Sequence, residues 1–278
     1  MTGRELPPTS AFSGDDGSAD PALHAVLTAH ATGDAGVPEV VAALAGTRVL
    51  VPVLAEAEAT ETVEVARHAH TVDRQASAGI VALQAPDGRT ALPVFSSVAA
   101  MTAWRADARP VPSEIARAAL SAVEEGWELL VLDPGGPVTV LVPRPAVWAL
   151  AQQVDWRPAV TGGGDDRSVV PEVRDAVRAA IGEVVAVGES DPVGDPAPPT
   201  ARRWWRRGTT TPVPTAAPLA VRAVEVVPGE RAELTVELHL VPGLDRGTVD
   251  ALLRAVGAAL AGSETVTRRV DAVQVRLR

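Results

Sequence analysis

Apolar and polar residues alternate most regularly near the C-terminus, in the run RAELTVELHL of residues 231–240. A period of two predicts a β-strand with one buried and one solvated face, and the solvated face carries Glu233, Glu237 and His239. The runs LAVRAVEVV and VDAVQVRLR predict two further strands. Residues 248–261 repeat apolar residues at helical spacing. Together with a helix over 170–182 and a short strand over 183–189, these elements predict a small sheet with helices on one side, in the order α-β-β-β-α-β.

The rest of the chain predicts a second, larger set of helices and strands. Asp20 and Pro21 suit the cap and first turn of a helix, and Asp87 with Gly88 between two apolar runs is typical of a β-hairpin. Strict strand–helix alternation is absent, so we expect an α+β fold with mostly antiparallel sheets and helices packed on them. The predicted elements are a helix from Asp20, a helix over 37–45, strands over 48–56, 79–84 and 89–95, a helix capped by Ser96, a helix over 108–127, strands over 127–132 and 137–142, helices over 143–153 and 170–182, and a short strand over 183–189.

Changes in composition divide the sequence into two α+β domains. The polar N-terminus, residues 1–19, is expected to be a disordered leader. Residues 20–160 form the first domain, and the Gly-rich stretch TGGGDDRS at 161–168 is expected to be a linker. Residues 169–278 form the second domain, in which a region rich in Pro, Thr and Gly at about 190–218 predicts a disordered insertion.

Composition narrows the classes of function. Cysteine is absent, which excludes disulfides, thiolate catalysis and iron–sulfur clusters. The net charge of −10 opposes binding of nucleic acid or of an anionic membrane by the molecule as a whole. No apolar run has the length of a membrane span and no secretory signal is present, so we expect a cytoplasmic protein. His68, His70 and Asp73 offer metal-ligating atoms, but their spacing fixes no further ligand, and we predict no metal and no cofactor.

Several stretches of the first domain resemble a known family. They are VLVPVLAE, the hairpin that ends in ALPVFSSVAAMTAW, and RPVPSEIARAALSAVEEGWELLVLDPGGPVTVLVPRPAVWALAQ. These stretches are similar to the SseB family, named after the enhanced serine sensitivity protein, in its two-domain actinobacterial form. The similarity covers about residues 20–160, and the C-terminal domain more loosely. The resemblance implies a cytoplasmic, two-domain, non-catalytic protein, and it supplies no catalytic residues.

The turn from strand to helix at Ser96 and Ser97 is the first candidate site. It lacks the Gly-x-Ser-x-Gly spacing of a nucleophile elbow. A serine nucleophile also needs a base oriented by a third group, and the sequence pairs none of the five histidines with these serines. We therefore interpret Ser96 as the cap of the following helix, beside a packed Phe95.

Two polar features could bind a partner or a ligand. The face with Glu233, Glu237 and His239 is either a solvated surface with cross-strand charge pairs or a ligand-binding face. The most unusual string is RRWWRR, in which arginines flank two tryptophans, a combination that suits stacking or a protein interface. Alternatively, its tryptophans fold back over the adjacent domain. This interaction segment consists of Arg202, Arg203, Trp204, Trp205, Arg206 and Arg207.

The sequence therefore predicts two hydrophobic cores without an assembled catalytic constellation. We expect a protein that is not an enzyme and that acts through an unidentified protein partner, without nucleic acid and without membrane insertion. The alternative is a small-molecule (metabolite or amino-acid) binding protein or an enzyme. It would use the polar face of the C-terminal sheet or a cleft between the domains.

Overall fold

The computed structural model describes residues 12–54, 81–85, 87–187, 220–230 and 232–278. The chain forms two compact units that divide between Pro158 and Ala159. The elements of the first unit are α1 (Pro21–Thr32), α2 (Val37–Leu44), β1 (Arg48–Val53), β2 (Leu83–Gln84), β3 (Thr90–Val94), α3 (Val98–Trp104), β4 (Arg109–Glu114), α4 (Ile115–Glu124), β5 (Leu129–Leu132), β6 (Val140–Val142) and α5 (Arg144–Gln152). The elements of the second unit are β7 (Val160–Thr161), a 3-10 turn (Gly164–Asp166), β8 (Ser168–Val169), α6 (Pro171–Val187), β9 (Val221–Pro228), β10 (Leu234–Leu240), α7 (Arg246–Gly262), α8 (Glu264–Arg269) and β11 (Val273–Leu277).

A four-stranded sheet in the order β2-β3-β5-β6 forms the centre of the first unit. β3 and β5 are parallel, whereas the β2–β3 and β5–β6 pairs are antiparallel. Helices α1, α2, α4 and α5 pack on this sheet and bury apolar side chains in one core, among them Leu23, Val40, Ala118 and Val147. Burial of a large aliphatic side chain contributes about 1.5–3 kcal/mol. The predicted α+β fold is confirmed.

α1 begins where the sequence predicts. The Asp20 carboxylate accepts hydrogen bonds from the backbone N–H groups of Ala22 and Leu23 at 2.9 and 3.1 Å, and Pro21 occupies the first turn. A cap of this kind contributes about 1 kcal/mol to a helix. Gly33, at a φ of 83°, ends the helix in the left-handed region that favours glycine.

β1 and β4 form a separate two-stranded ribbon, in which the prolines occupy non-hydrogen-bonded pairs. Pro52 lies opposite Pro110 at such a pair, where a backbone N–H would point away from the partner strand, so neither proline removes a hydrogen bond from the ribbon. Two residues along, Pro112 lies opposite Leu50 in an equivalent pair. Leu50 instead exchanges two backbone hydrogen bonds with Phe95 on its other side, both at 2.9 Å. β1 therefore joins the ribbon to the end of β3.

The start of the helix predicted over 108–127 is wrong. Residues 109–114 are the strand β4, and the helix begins only at Ile115. Pro110 and Pro112 explain the difference, because a proline disfavours helical backbone at the residue before it. The apolar period of the helix extends back only as far as Ile115.

Residues 12–19 pack against the first unit, which corrects the expectation that the leader is disordered through this stretch. The Arg48 guanidinium donates to Asp15 Oδ1 and to the Ser18 carbonyl, both at 2.6 Å. It also donates to the Ser96 carbonyl at 3.1 Å. One half-buried arginine therefore ties the segment to the end of β3.

Gly17 brings the same segment into close contact with α3. Its carbonyl accepts the Val98 N–H at 2.8 Å, at the start of the helix. Its φ is 79°, and a Cβ at this position would lie 2.6 Å from a methyl group of Val98. The position therefore requires glycine. Residues 1–11 of the expected leader lie outside the described residues.

In the second unit, a three-stranded sheet in the order β11-β10-β9 packs against α6, α7 and α8. β9 and β10 are antiparallel, and β10 and β11 are parallel. Leu234, Val236 and Leu238 are fully buried on one face of β10, as the alternation predicts. Val173 and Ile181 of α6 are buried in the same core. The helices therefore cover one face of the sheet and leave the polar face outside this core.

The short strand predicted over 183–189 is wrong where the structure describes it. α6 continues through Gly182 to Val187, because an isolated glycine is tolerated inside a helix whose apolar face is already packed. The order in this unit, after the β7–β8 hairpin, is α-β-β-α-α-β, with α8 as an unexpected helix. The predicted insertion at 190–218 lies outside the described residues.

Residues 161–168, which we expected to form a linker, instead belong to a small hairpin. β7 pairs with β8, and a 3-10 turn lies between them. Gly162 closes the turn at a φ of 83°, where a Cβ would lie 2.3 Å from the Asp166 carbonyl oxygen. Glycine here serves a tight backbone approach rather than flexibility.

Candidate functional site

The corner after β3 holds the two serines that the sequence singles out. Ser97 caps α3, since its hydroxyl oxygen accepts the Ala100 N–H at 3.1 Å. The assignment of Ser96 as the cap is therefore wrong by one residue. Ser96 turns inward and is 5% exposed, beside a fully buried Phe95.

Ser96 forms two hydrogen bonds to Asp133, the residue that directly follows β5. The Ser96 N–H donates to Oδ1 at 2.8 Å and its hydroxyl donates to Oδ2 at 2.7 Å. Because β3 and β5 are parallel, their carboxyl ends meet and bring the two residues together. Burial raises the pKa of Asp133, against the opposing effect of these two hydrogen bonds. The Ser96 hydroxyl proton is thus held by a neighbouring carboxylate, which supports a structural role for the corner.

A groove of about 260 Å³ opens between the β1–β4 ribbon and α4. Val51 and Val111 lie opposite each other on the ribbon and form one wall, and Trp127 contributes to the lining. Val111 is 45% exposed, which is unusual for a residue beside a core. The polar lining residues come mainly from α4, and the full lining is Val51, Val53, Leu92, Val111, Ser113, Arg117, Ala118, Ser121, Glu124, Glu125 and Trp127. The groove is therefore apolar inside and charged along the helix.

The polar face of the C-terminal sheet carries a compact charged cluster. Glu237 on β10 lies directly opposite Glu225 on β9 and Arg276 on β11. The His239 Nε2 is 3.6 Å from Glu225 Oε1, and the ligating atoms of Glu225, Glu237 and His239 all lie within 4.8 Å of one another. Arg278 donates to Glu237 Oε1 at 2.7 Å and thereby lowers the pKa of Glu237. We call Glu225, Glu237 and His239 the Glu-Glu-His cluster.

Buried polar atoms without partners lie on the same face. Thr235 Oγ1, His239 Nε2 and Gln274 Oε1 have no hydrogen-bond partner within the described parts of the chain. Thr235 and Gln274 are opposite each other, two residues before the Glu237–Arg276 pair and on the same face. Because unsatisfied buried polar atoms are uncommon in native proteins, this face could be completed by a ligand.

Glu233, the third residue of the predicted ligand face, has a different environment. It precedes β10, and its Oε2 accepts the Asp271 N–H at 2.6 Å. Burial raises the pKa of Glu233, with the nearby Asp271 carboxylate acting in the same direction. The structure therefore brings Glu237 and His239 together and engages the Glu233 carboxylate at the end of the sheet.

The remaining sequence candidates fall outside the described residues. These are the interaction segment over 202–207 and the residues His68, His70 and Asp73. Sequence reasoning missed Glu225, although its position in the run AVEVV at period two places it on the polar face of β9. No local pattern could have paired it with His239, because that contact depends on strand register.

None of the helices in the described parts of the chain has the length and apolar character needed to cross a membrane. Residues 23–149 match the family model described as the SseB protein N-terminal domain. This range begins in α1 and ends in α5, so it contains the groove and the Ser96–Asp133 pair. No curated protein and no solved structure matches the chain.

Proposed function

Since the chain belongs to the SseB family through its N-terminal domain, we propose that it is a non-catalytic protein that binds a segment of a partner protein. The observation that carries the proposal is the apolar groove between the β1–β4 ribbon and α4. The proposed occupant is a partner segment with one large apolar side chain followed by basic residues. The size of the groove and its charges support this choice.

The volume of the groove favours a side chain over a cofactor. Small-molecule sites usually measure about 300–1,000 Å³, whereas the groove measures about 260 Å³. Its aliphatic walls and Trp127 would gain free energy by burying an apolar anchor, as do the central pockets of protein interfaces.

The charges along the groove favour a basic neighbour of that anchor. Glu124 and Glu125 lie at the C-terminal end of α4, where the helix dipole adds further negative potential. Arg117, about two turns earlier, contributes the opposite charge. A segment that runs from its apolar anchor toward the end of α4 would therefore place Arg or Lys beside the two carboxylates.

Selection from a random peptide library tests the proposal on the full chain. We expect enrichment of peptides with one Leu, Phe or Trp followed by Arg or Lys. Their affinity should fall at least about ten-fold in Val111→Glu, which places a charge at the mouth of the groove. The matched control Val154→Glu changes a residue outside the groove that is 58% exposed, and it should bind normally. Equal affinity of the peptides for Val111→Glu and wild type would overturn the proposal.

A second candidate function is the binding of a small ligand on the polar face of the C-terminal sheet. The specific observation in its favour is the Glu-Glu-His cluster beside the unpartnered atoms of Thr235 and Gln274. Thermal-shift screening of metal-free protein against small organic ligands tests it. Stabilisation by a ligand that is lost in His239→Ala would support this role, and stabilisation that persists in the variant would exclude this face.

A further inference from the structure

We propose that the Glu-Glu-His cluster is a binding site for a divalent transition metal, with Zn²⁺ as the reference ion. The inference concerns the same face as the second candidate function, but its ligand is a metal ion and it rests neither on that function nor on the groove. One imidazole and two carboxylates are ligands that zinc and related divalent ions accept in protein sites. Three protein ligands leave a position open for water or for a small molecule.

The strand register fixes the positions of the three ligands. Glu225 and Glu237 are direct neighbours across the β9–β10 pair, and His239 follows Glu237 by two residues on the same face. Like charges placed directly opposite each other destabilise a sheet. A bound cation would attract both carboxylates, in addition to the attraction that Arg278 already exerts on Glu237.

The distances between the ligating atoms of Glu225, Glu237 and His239 need only a small adjustment to fit a bound metal ion. Ligand atoms around a tetrahedral zinc lie about 3.3 Å apart, as follows from metal–ligand distances of about 2.0–2.1 Å. In the structure they lie within 4.8 Å, with His239 Nε2 and Glu225 Oε1 at 3.6 Å. The side chains of Glu225 and His239 are 58% and 38% exposed, so rotations about their χ angles can close the gap. His239 Nε2 makes no hydrogen bond within the described residues, and its neighbour at 3.6 Å, Glu225, is itself a proposed ligand, so a metal could bind between the two.

Arginine opposes the metal and limits its affinity. Arg278 is bound to Glu237, and Arg276 lies directly beside Glu237 in register. The two guanidinium charges offset the two carboxylate charges, so a metal must compete with Arg278. We expect a dissociation constant for Zn²⁺ in the micromolar range, and a tighter one when Arg278 is replaced by glutamine.

Metal titration of the full chain tests the site. The protein is purified with a tag that contains no histidine and is freed of metal with a chelator. The variant His68→Ala/His70→Ala serves as the background, because it removes two histidines outside the cluster that could bind metal. In this background we expect one Zn²⁺ per chain, and visible absorption bands when Co²⁺ replaces it. Glu225→Gln and His239→Ala should each weaken Zn²⁺ binding at least about ten-fold, whereas His24→Ala, at an exposed position of α1, should not.

Glu225→Gln removes a like-charge contact, so it should not harm folding and it keeps the test interpretable. The site is overturned if the background binds no Zn²⁺ below about 1 mM, which corresponds to a binding free energy of about −4 kcal/mol. It is also overturned if Glu225→Gln and His239→Ala bind as well as the background, or if Arg278→Gln weakens binding. If Zn²⁺ does not bind but stabilisation by an organic ligand is lost in His239→Ala, the metal site is excluded and the second candidate function is still supported.

Discussion

Replacing Asp133 by alanine removes the carboxylate that accepts both polar hydrogens of Ser96, at 2.8 and 2.7 Å. Ser96 is 5% exposed, so its N–H and hydroxyl would be left buried without this partner. A buried polar group without a hydrogen bond costs about 1–3 kcal/mol. With two such groups, we expect Asp133→Ala to lower the free energy of unfolding of the first unit by about 2–6 kcal/mol. That loss is a large part of the roughly 5–15 kcal/mol that stabilises a typical domain.

Two companion variants separate the hydrogen bonds from other effects of the substitution. Ser96→Ala keeps the backbone N–H bond to Asp133 Oδ1 but leaves the buried Oδ2 without its donor, so it should cost about 1–3 kcal/mol. Asp133→Asn keeps an acceptor, and asparagine tolerates the positive φ of 49° at this position, so it should cost less than about 1 kcal/mol. The expected order of stability loss is therefore Asp133→Ala above Ser96→Ala, with Asp133→Asn smallest.

Tryptophan fluorescence during urea unfolding measures these differences. Trp104 stacks near Phe95, with ring centroids 5.2 Å apart, so it reports on the environment of the Ser96 corner. In a Trp204→Phe/Trp205→Phe background the remaining tryptophans all belong to the first unit. If Asp133→Ala costs no more than Ser96→Ala, the carboxylate does not satisfy buried groups and the reasoning fails.

Three further predictions concern Arg48, Gly162 and Glu233. Arg48→Ala should release residues 12–19, so that their amide hydrogens exchange at least about ten-fold faster, and unchanged exchange would contradict the anchoring role. Gly162→Ala would place a Cβ 2.3 Å from a backbone oxygen, so it should destabilise the second unit by more than about 2 kcal/mol in urea unfolding followed by circular dichroism. Gly163→Ala, with open space around the position, should cost less than about 1 kcal/mol. Burial raises the pKa of Glu233 above its ordinary 4.5, so its stabilising contribution is present at low pH and is lost as the pH rises through the folded-state pKa. Glu233→Gln should therefore gain stability relative to wild type as the pH rises above 4.5, and a difference that stays constant with pH would refute this.

Local patterns predicted the elements whose signals are strong and short-range. The Asp20 cap, the alternation through Leu234, Val236 and Leu238, and the apolar period of α6 each correspond to the structure. Each of these signals depends only on residues a few positions apart in the sequence, and the physical cause acts over the same distance.

The errors arose where contacts distant in sequence decide the outcome. Ser96 has a good sequence position for a helix cap, but the parallel pairing of β3 and β5 brings Asp133 to it and leaves the cap to Ser97. The segment over 12–19 is polar and resembles a leader, yet Arg48 holds it in place. Polarity alone does not distinguish a solvated segment from one that is bound by a single buried cation.

The candidate site was predictable only in part for the same reason. Alternation placed Glu237 and His239 on one face, but only the register of β9 against β10 adds Glu225. The groove depends on the docking of the β1–β4 ribbon beside α4, which no sequence period encodes. Its lining residues come from elements that are far apart along the chain.

The prolines of β4 have a consequence for how this protein behaves at high concentration. Pro110 and Pro112 occupy positions of β4 whose backbone N–H groups would point away from β1, and proline has no N–H. At these two positions the outer edge of β4 therefore presents carbonyl oxygens but no amide hydrogens. A strand from another molecule therefore cannot form a regular ladder of hydrogen bonds with this edge of β4. This disfavours edge-to-edge pairing of copies of the protein, the step by which β-sheets grow into fibrils. Val111 can therefore be exposed to solvent beside this edge without making the edge prone to aggregation.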